Sequence, residues 1–452
     1  MSEIKIDTSS RLYQTQPNKN LRQKPHTELF NNFGTDTASV SVCTTNNYKS
    51  PSAVVRQNRK IMNDNEKVLY AKIYHSLPVD SKEKFEKLLN KGILLKSNSN
   101  DGSSVLENLY KIFTSPRTKE VEAGNILKEC INILYNPLIV TQITEDIPEE
   151  YLDGAVEYVY NSEEKIRQQR KEIAKHSEYM RQQIEESGED KLNKEDELKR
   201  IREEIEHDSL DSCVAASMEF LLASKYPAEF IRLIEGLTSE AKVVKRTLDC
   251  TRANLTEDSF YIYKTDYEIK NDKAEVTLRA DDGAYLLAQM QKTCQDEDER
   301  TTIDILVQSL IFQISTRNSY NSVLDKHNGL YDNNDGLCCE EEVFALKILT
   351  GKNVLNYDFT ETKMTPEKIN KVKNNISTAL AKGKYVLLGY NAAENDGCTE
   401  GHEITILKEI RGKDGKEYYV CKDTAEEENN SKTKLYEKNY IFKRLISYSI
   451  IK

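Results

Sequence analysis

Asp211-Ser-Cys-Val-Ala-Ala-Ser-Met-Glu-Phe-Leu-Leu-Ala223 decides how the rest of the chain is read. Polar residues give way to an apolar run at one cysteine, Cys213. The preceding Asp208-Ser-Leu-Asp-Ser212 is dense in capping residues, so the pattern predicts a helix with Cys213 in its first turn. A helix N-terminus presents unpaired N–H groups and a positive dipole end, and both favour a thiolate. Ala215 and Ala216 allow a partner sheet to approach closely. The same features also suit a small cysteine buried on a core helix. The choice turns on whether the chain supplies a base and a group to orient it.

Six histidines are available. His26 lies in a polar N-terminal stretch, and His75 and His176 lie in helical patterns. His207 is too close in sequence to face Cys213 from another layer, which leaves His327 and His402. His402 opens Gly401-His-Glu-Ile-Thr-Ile-Leu407, a strand pattern. Arg411-Gly-Lys-Asp-Gly415 is a hairpin turn signal that joins it to Glu417-Tyr-Tyr-Val-Cys-Lys-Asp423. A base at the start of one strand and a carboxylate at the end of its antiparallel neighbour come side by side. Asp423 then accepts the His402 ring N–H and stabilises the imidazolium, while Glu403 points to the opposite face. The expected catalytic set is Cys213 as nucleophile, His402 as base and acid, and Asp423 as orienter.

Outside this set the chain divides by composition. Residues 1–55 are rich in Ser, Thr, Asn and Gln without apolar periodicity, and are expected to be a disordered tail. Residues 56–160 carry four short amphipathic patterns, at Asn65–Tyr74, Ser81–Asn90, Ser103–Phe113 and Ala123–Leu134, which predict a small helical domain. Residues 161–206 are the most charged. Ile166, Ile173 and Met180 recur at intervals of seven, but the stripe is thin and breaks at Ser187-Gly188. A helical hairpin or two solvated helices fits better than a long dimerising coiled coil. From 207 a helix comes first and strands come last, at 385–390, 403–410, 417–422 and 440–448. That order is α+β.

The chain has 452 residues and a net charge of -11, which argues against broad nucleic-acid binding. No run reaches the length of a membrane span, and the N-terminus lacks the apolar core of a secretory signal. The expected location is the cytoplasm, or outside the cell by a route other than Sec. The nine cysteines are odd in number and irregularly spaced, as expected of free thiols. No His/Cys set has zinc spacing, so no metal or cofactor is expected.

Leu210-Asp-Ser-Cys-Val-Ala-Ala-Ser-Met-Glu-Phe-Leu221 resembles the active-site helix of papain-like cysteine peptidases, including calpains and the bacteriocin-processing group. Gly383-Lys-Tyr-Val-Leu-Leu-Gly-Tyr390, then the His402 stretch, then Gly415–Thr424, is similar to that fold's order of strands. The resemblance covers residues 207–452. It implies a papain-like domain, with the active-site helix packed on a C-terminal antiparallel sheet. It also implies a thiol hydrolase that cleaves polypeptide through Cys213, His402 and Asp423. Two departures stand out. His207 occupies the place of a glutamine that donates to the oxyanion, so its imidazole is the expected donor beside the Cys213 N–H. The long interval between Cys213 and His402 implies an inserted subdomain around 250–340, where Asp332-Asn-Asn-Asp335 reads as a solvated turn rather than a calcium loop.

Two further readings stay open. The same triad supports deamidase, transamidase or acyltransferase outcomes. Alternatively, the chain is a non-catalytic helical interaction protein with a degenerate peptidase-like domain. The front helices offer a surface for a protein partner, and the modular layout suits an exported effector.

Overall fold

The apolar faces predicted for the front of the chain form four helices. They are α1 (Asp64–Ser76), α2 (Val79–Asn90), α3 (Val105–Thr114) and α4 (Ala123–Tyr135). Asn63 with Glu66, and Ser104 with Glu107, close capping boxes at the starts of α1 and α3. The structure is a computed structural model. It describes residues 59–143, 147–187, 193–205, 212–263, 265–291, 299–326, 336–360, 365–392, 401–425 and 432–452. The expected tail, His26, His207, His327 and the Asp332–Asp335 turn lie outside the described residues.

The charged stretch forms α5 (Glu149–Ala174), α6 (Glu178–Ser187) and α7 (Lys194–Ile205). Apart from Ala174, the buried residues of α5 lie in its first half. Leu152, Ala155, Val156 and Val159 pack with Ile201 of α7 in a small separate core. Ile166 and Ile173, from the heptad-like stripe, face solvent. Arg167 instead ties the two helices by pairing with Glu197.

Next come α8 (Cys213–Lys225) and α9 (Pro227–Leu237). A three-stranded antiparallel sheet follows, of β1 (Val244–Asp249), β2 (Asp266–Lys270) and β3 (Lys273–Leu278), in the order β1-β3-β2. Two short helices, α10 (Cys250–Ala253) and α11 (Glu257–Ile262), lie between its first two strands. Three helices come after it, α12 (Asp282–Met290), α13 (Thr302–Ser315) and α14 (Cys339–Thr350). Every residue of α13 is buried. Residues Cys213 to Ala223 of α8 are likewise buried on all sides, so α8 is a central rather than an amphipathic helix.

The chain closes with β4 (Val354–Asp358), α15 (Pro366–Ala381), β5 (Val386–Asn391), β6 (Gly401–Arg411), β7 (Glu417–Asp423), β8 (Lys434–Glu437), α16 (Lys438–Arg444) and β9 (Leu445–Ile451). The six strands form one sheet in the order β4-β9-β5-β6-β7-β8, and every neighbouring pair is antiparallel. The architecture is α+β. The single strand expected over 440–448 is corrected. Its first half is α16, because Lys438, Ile441 and Phe442 are buried together at helical spacing.

Helices cover both faces of this sheet. Ile376 of α15 and Ile441 of α16 pack with Val386, Leu388, Ile404 and Ile406 on one face. On the other, Leu387 and Leu407 join a larger core that holds α8, α9, α13 and α14. That core also takes in Ile73, Phe85, Leu106 and Ile131 from α1 to α4. Polar contacts cross the same boundary. Arg117 donates to the Glu235 carbonyl at 2.7 Å, and the Thr118 N–H donates to the Thr238 carbonyl at 2.9 Å. No helix among the described residues is long and apolar enough to cross a membrane.

Candidate active site

Cys213 is the first residue of α8, as its polar-to-apolar context predicts. The Ser212 carbonyl accepts the first intrahelical bond, from the Ala216 N–H at 2.9 Å. The earlier N–H groups of the turn, that of Cys213 included, have no acceptor within the helix. Ser212 itself gives no side-chain cap, and its buried hydroxyl is without a partner. Ala215 and Ala216 are fully buried, which brings the backbone of α8 close to its neighbours.

His402 is the second residue of β6, and Asp423 is the last of β7. The register pairs Ile404 with Asp423, which puts the histidine ring and the carboxylate on the same face two residues apart. His402 Nε2 lies 2.8 Å from Asp423 Oδ1. Nδ1 is then the ring nitrogen left for the cysteine, and Cys213 stands close enough to the ring to raise its pKa. The three side chains predicted from sequence are therefore brought together, with His402 bonded to Asp423 and Cys213 beside the ring. Cys213 keeps 8% of its surface exposed, so the sulfur sits at the floor of the site rather than at its rim.

The electrostatics follow from this geometry. Burial alone would lower the His402 pKa. The hydrogen bond to Asp423 and the closeness of Cys213, with the charges of both, outweigh burial and raise it to about 10. Burial works against the Asp423 carboxylate too, but His402 holds its pKa well below the usual carboxylate range. Three more groups help. The Tyr436 hydroxyl donates to Asp423 Oδ2, the Ala425 N–H donates to Oδ1 at 3.1 Å, and the Lys434 ammonium stands 3.5 Å from Oδ2. Tyr390 sets its ring edge-on to His402 at 5.8 Å between centroids. Its hydroxyl donates to that of Tyr436 at 3.3 Å.

Tyr390, Tyr436 and Lys434 escape a reading based on motifs. The signal for Tyr436 is its pairing: it faces Tyr419 across the β7–β8 ladder, on the face that also carries Asp423. The β8 strand has only four residues, too short to show a pattern.

Glu403 does not orient His402. It is buried on the opposite face of β6, beside Glu342 of α14 and near Cys213. Burial, with Glu342 and Cys213 adding, pushes its carboxyl well above the ordinary range. Burial also raises Glu342 to about 7, against a hydrogen bond from Ser449. Burial thus disfavours a second negative charge beside Cys213. Among the described residues no group of His, Cys, Asp and Glu side chains is arranged to hold a metal ion.

The end of β7 is also clamped from the front of the chain. The Thr424 carbonyl accepts from the Gln142 N–H and the Thr141 hydroxyl, each at 3.1 Å. The Thr424 hydroxyl donates to Gln142 Oε1 at 2.9 Å. The segment that leaves α4 thus fixes the residue next to Asp423.

No protein-family model, curated protein or solved structure matches the chain.

Proposed function

We propose that the chain is a thiol hydrolase of papain-like type that cleaves polypeptide through an acyl-enzyme. The observation that carries this reading is the convergence of Cys213, on the first turn of a buried helix, with a His402 that is hydrogen-bonded to Asp423. The order of elements, active-site helix first and His and Asp strands last, also agrees with that architecture.

The Cys213 proton passes to His402 Nδ1, and Asp423 stabilises the imidazolium through Nε2. The thiolate attacks the peptide carbonyl carbon. The carbonyl electrons move to oxygen, where the Cys213 N–H at the start of α8 is placed to donate. The tetrahedral intermediate collapses, the C–N bond breaks, and His402 returns its proton to the leaving amine. Water, deprotonated by the same histidine, then attacks the thioester and releases the acid and the thiol.

The test is a proteome-derived peptide library incubated with the full chain and with Cys213→Ala. New peptide termini that appear only with the parent protein support the reading. Identical cleavage by both proteins, or none by either, removes it.

A further inference from the structure

Cys213 opens α8 and Asp423 closes β7, so the two come from separate parts of the fold. How far the sulfur stands from the His402–Asp423 pair depends on how α8 is held against the end of β7. Gln308 of α13, fully buried, lies between the two. The triad itself makes no use of it.

The Gln308 amide nitrogen carries two hydrogens, and each finds an acceptor. Nε2 donates to Glu219 Oε2 at 3.0 Å and to the Thr141 carbonyl at 2.8 Å. Glu219 belongs to α8, fewer than two turns after Cys213, and is also fully buried. That span is about 9 Å of regular helix, so holding Glu219 holds the turn that carries the sulfur.

The second acceptor leads to the other partner. The Thr141 hydroxyl donates to the Thr424 carbonyl at 3.1 Å, and Thr424 follows Asp423 in the chain. One side chain thus joins the helix of the nucleophile to the segment that clamps the strand of the carboxylate. The Arg300 N–H, just before α13, ties the same segment again by donating to the Ile143 carbonyl at 2.9 Å. Apolar burial would hold these elements together without direction. Hydrogen bonds of ordinary length fix both distance and angle.

We propose that Gln308 is a positioning residue for the chemistry of Cys213. It sets α8 against the end of β7, so that the sulfur and the His402–Asp423 pair keep their working distance. This role rests on the reading of Cys213 as a nucleophile activated by His402.

The test is labelling of Cys213 in the full chain by a neutral thiol electrophile, at pH 6 and above pH 9, with the modified residue located by mass spectrometry. Gln308→Met keeps the length of the side chain and removes both donors. Ser309→Ala is the control. The Ser309 hydroxyl is as deeply buried, but it donates to Asp281 Oδ1 at 2.6 Å and takes no part in the bridge. Above pH 9 a thiol ionises without help, so labelling there reads access to the sulfur. Gln308→Met should slow labelling at pH 6 at least about tenfold, since a misplacement of about 1 Å at a reacting group costs up to about a hundredfold. Its rate above pH 9 should equal the parent's. Ser309→Ala should match the parent at both pH values, even where its unfolding midpoint falls as far. Gln308→Asn, one methylene shorter and able to reach only one of the two acceptors, carries the same expectation and replaces a Gln308→Met protein that lacks a cooperative transition. Parent-like labelling of the folded variant at pH 6, equal slowing in Ser309→Ala, or failure of both Gln308 variants to fold would overturn the proposal. A parent whose Cys213 labels no faster than the other cysteines at pH 6 would remove the thiol-hydrolase reading and this role with it. A parent with that advantage and an unaffected Gln308 variant would remove the role of Gln308 alone.

Discussion

His402 and Asp423 make the site's pH behaviour predictable residue by residue. The folded pKa of His402 is raised from an ordinary 6.5 to about 10. Its contribution to stability is therefore fully present below pH 6.5 and is lost as pH rises to about 10. Denaturant titrations across that window should show stability falling with pH, and His402→Ala should flatten the slope. Asp423 is shifted the other way, so its contribution is present above its ordinary range and lost only in strong acid. Replacing it with Ala leaves a buried imidazolium without its partner and should cost about 3–5 kcal/mol. Asp423→Asn keeps the hydrogen bond but removes the charge, so the alkaline limb of the rate profile should move to lower pH. Tyr436→Phe strips a hydroxyl from the buried carboxylate and should cost about 1–3 kcal/mol, read by chemical denaturation.

At the scale of elements, the triad was legible because each member sits at a boundary that local pattern marks. Cys213 stands where polar residues meet apolar ones, His402 just after Gly401, and Asp423 at the end of a strand begun by a Gly-rich hairpin. What was not legible came from packing between distant segments. In α16, Tyr440-Ile-Phe442 carries strand-like residues, yet it is helical because Ile441 and Phe442 together cover one face of the sheet. The α15 helix carries local signals of its own, with Thr365 as cap, Pro366 behind it and Val372, Ile376 and Ala379 at helical spacing. The clamp between Thr424 and the 141–142 segment joins residues about 280 positions apart, and no local pattern encodes it. Thr424→Val keeps the shape and removes the hydroxyl. It should cost about 1–2 kcal/mol and lower the turnover rate, since Asp423 is the next residue along. Unchanged turnover in a destabilised Thr424→Val protein would show that the clamp serves the fold alone.

At the scale of the molecule, the front helices and the elements that carry the triad share a core. Phe85, Leu106 and Ile131 belong to the same buried cluster as Phe220, Leu233 and Phe312. A chain begun at residue 207 would expose that face and lose the 141–142 clamp. It should be insoluble or lack a cooperative transition, whereas the full chain should show one. Amide exchange should follow the same division. The fully buried α13 and the part of α8 beyond its first turn should exchange last, and α6 and α7, which bury few side chains, should exchange first.

If His402 activates Cys213, labelling by a neutral thiol electrophile as a function of pH reads that activation without a substrate. Burial is the leading cause that raises the thiols of Cys130, Cys250, Cys338, Cys339 and Cys421. An unassisted thiol is only about 0.3% ionised at pH 6. Cys213 should react at pH 6 at least about a hundredfold faster than an unassisted thiol, and His402→Ala should remove that advantage while leaving reaction above pH 9. A Cys213 that labels no faster than the other cysteines, or a His402→Ala protein that labels as fast as the parent at pH 6, would contradict the account.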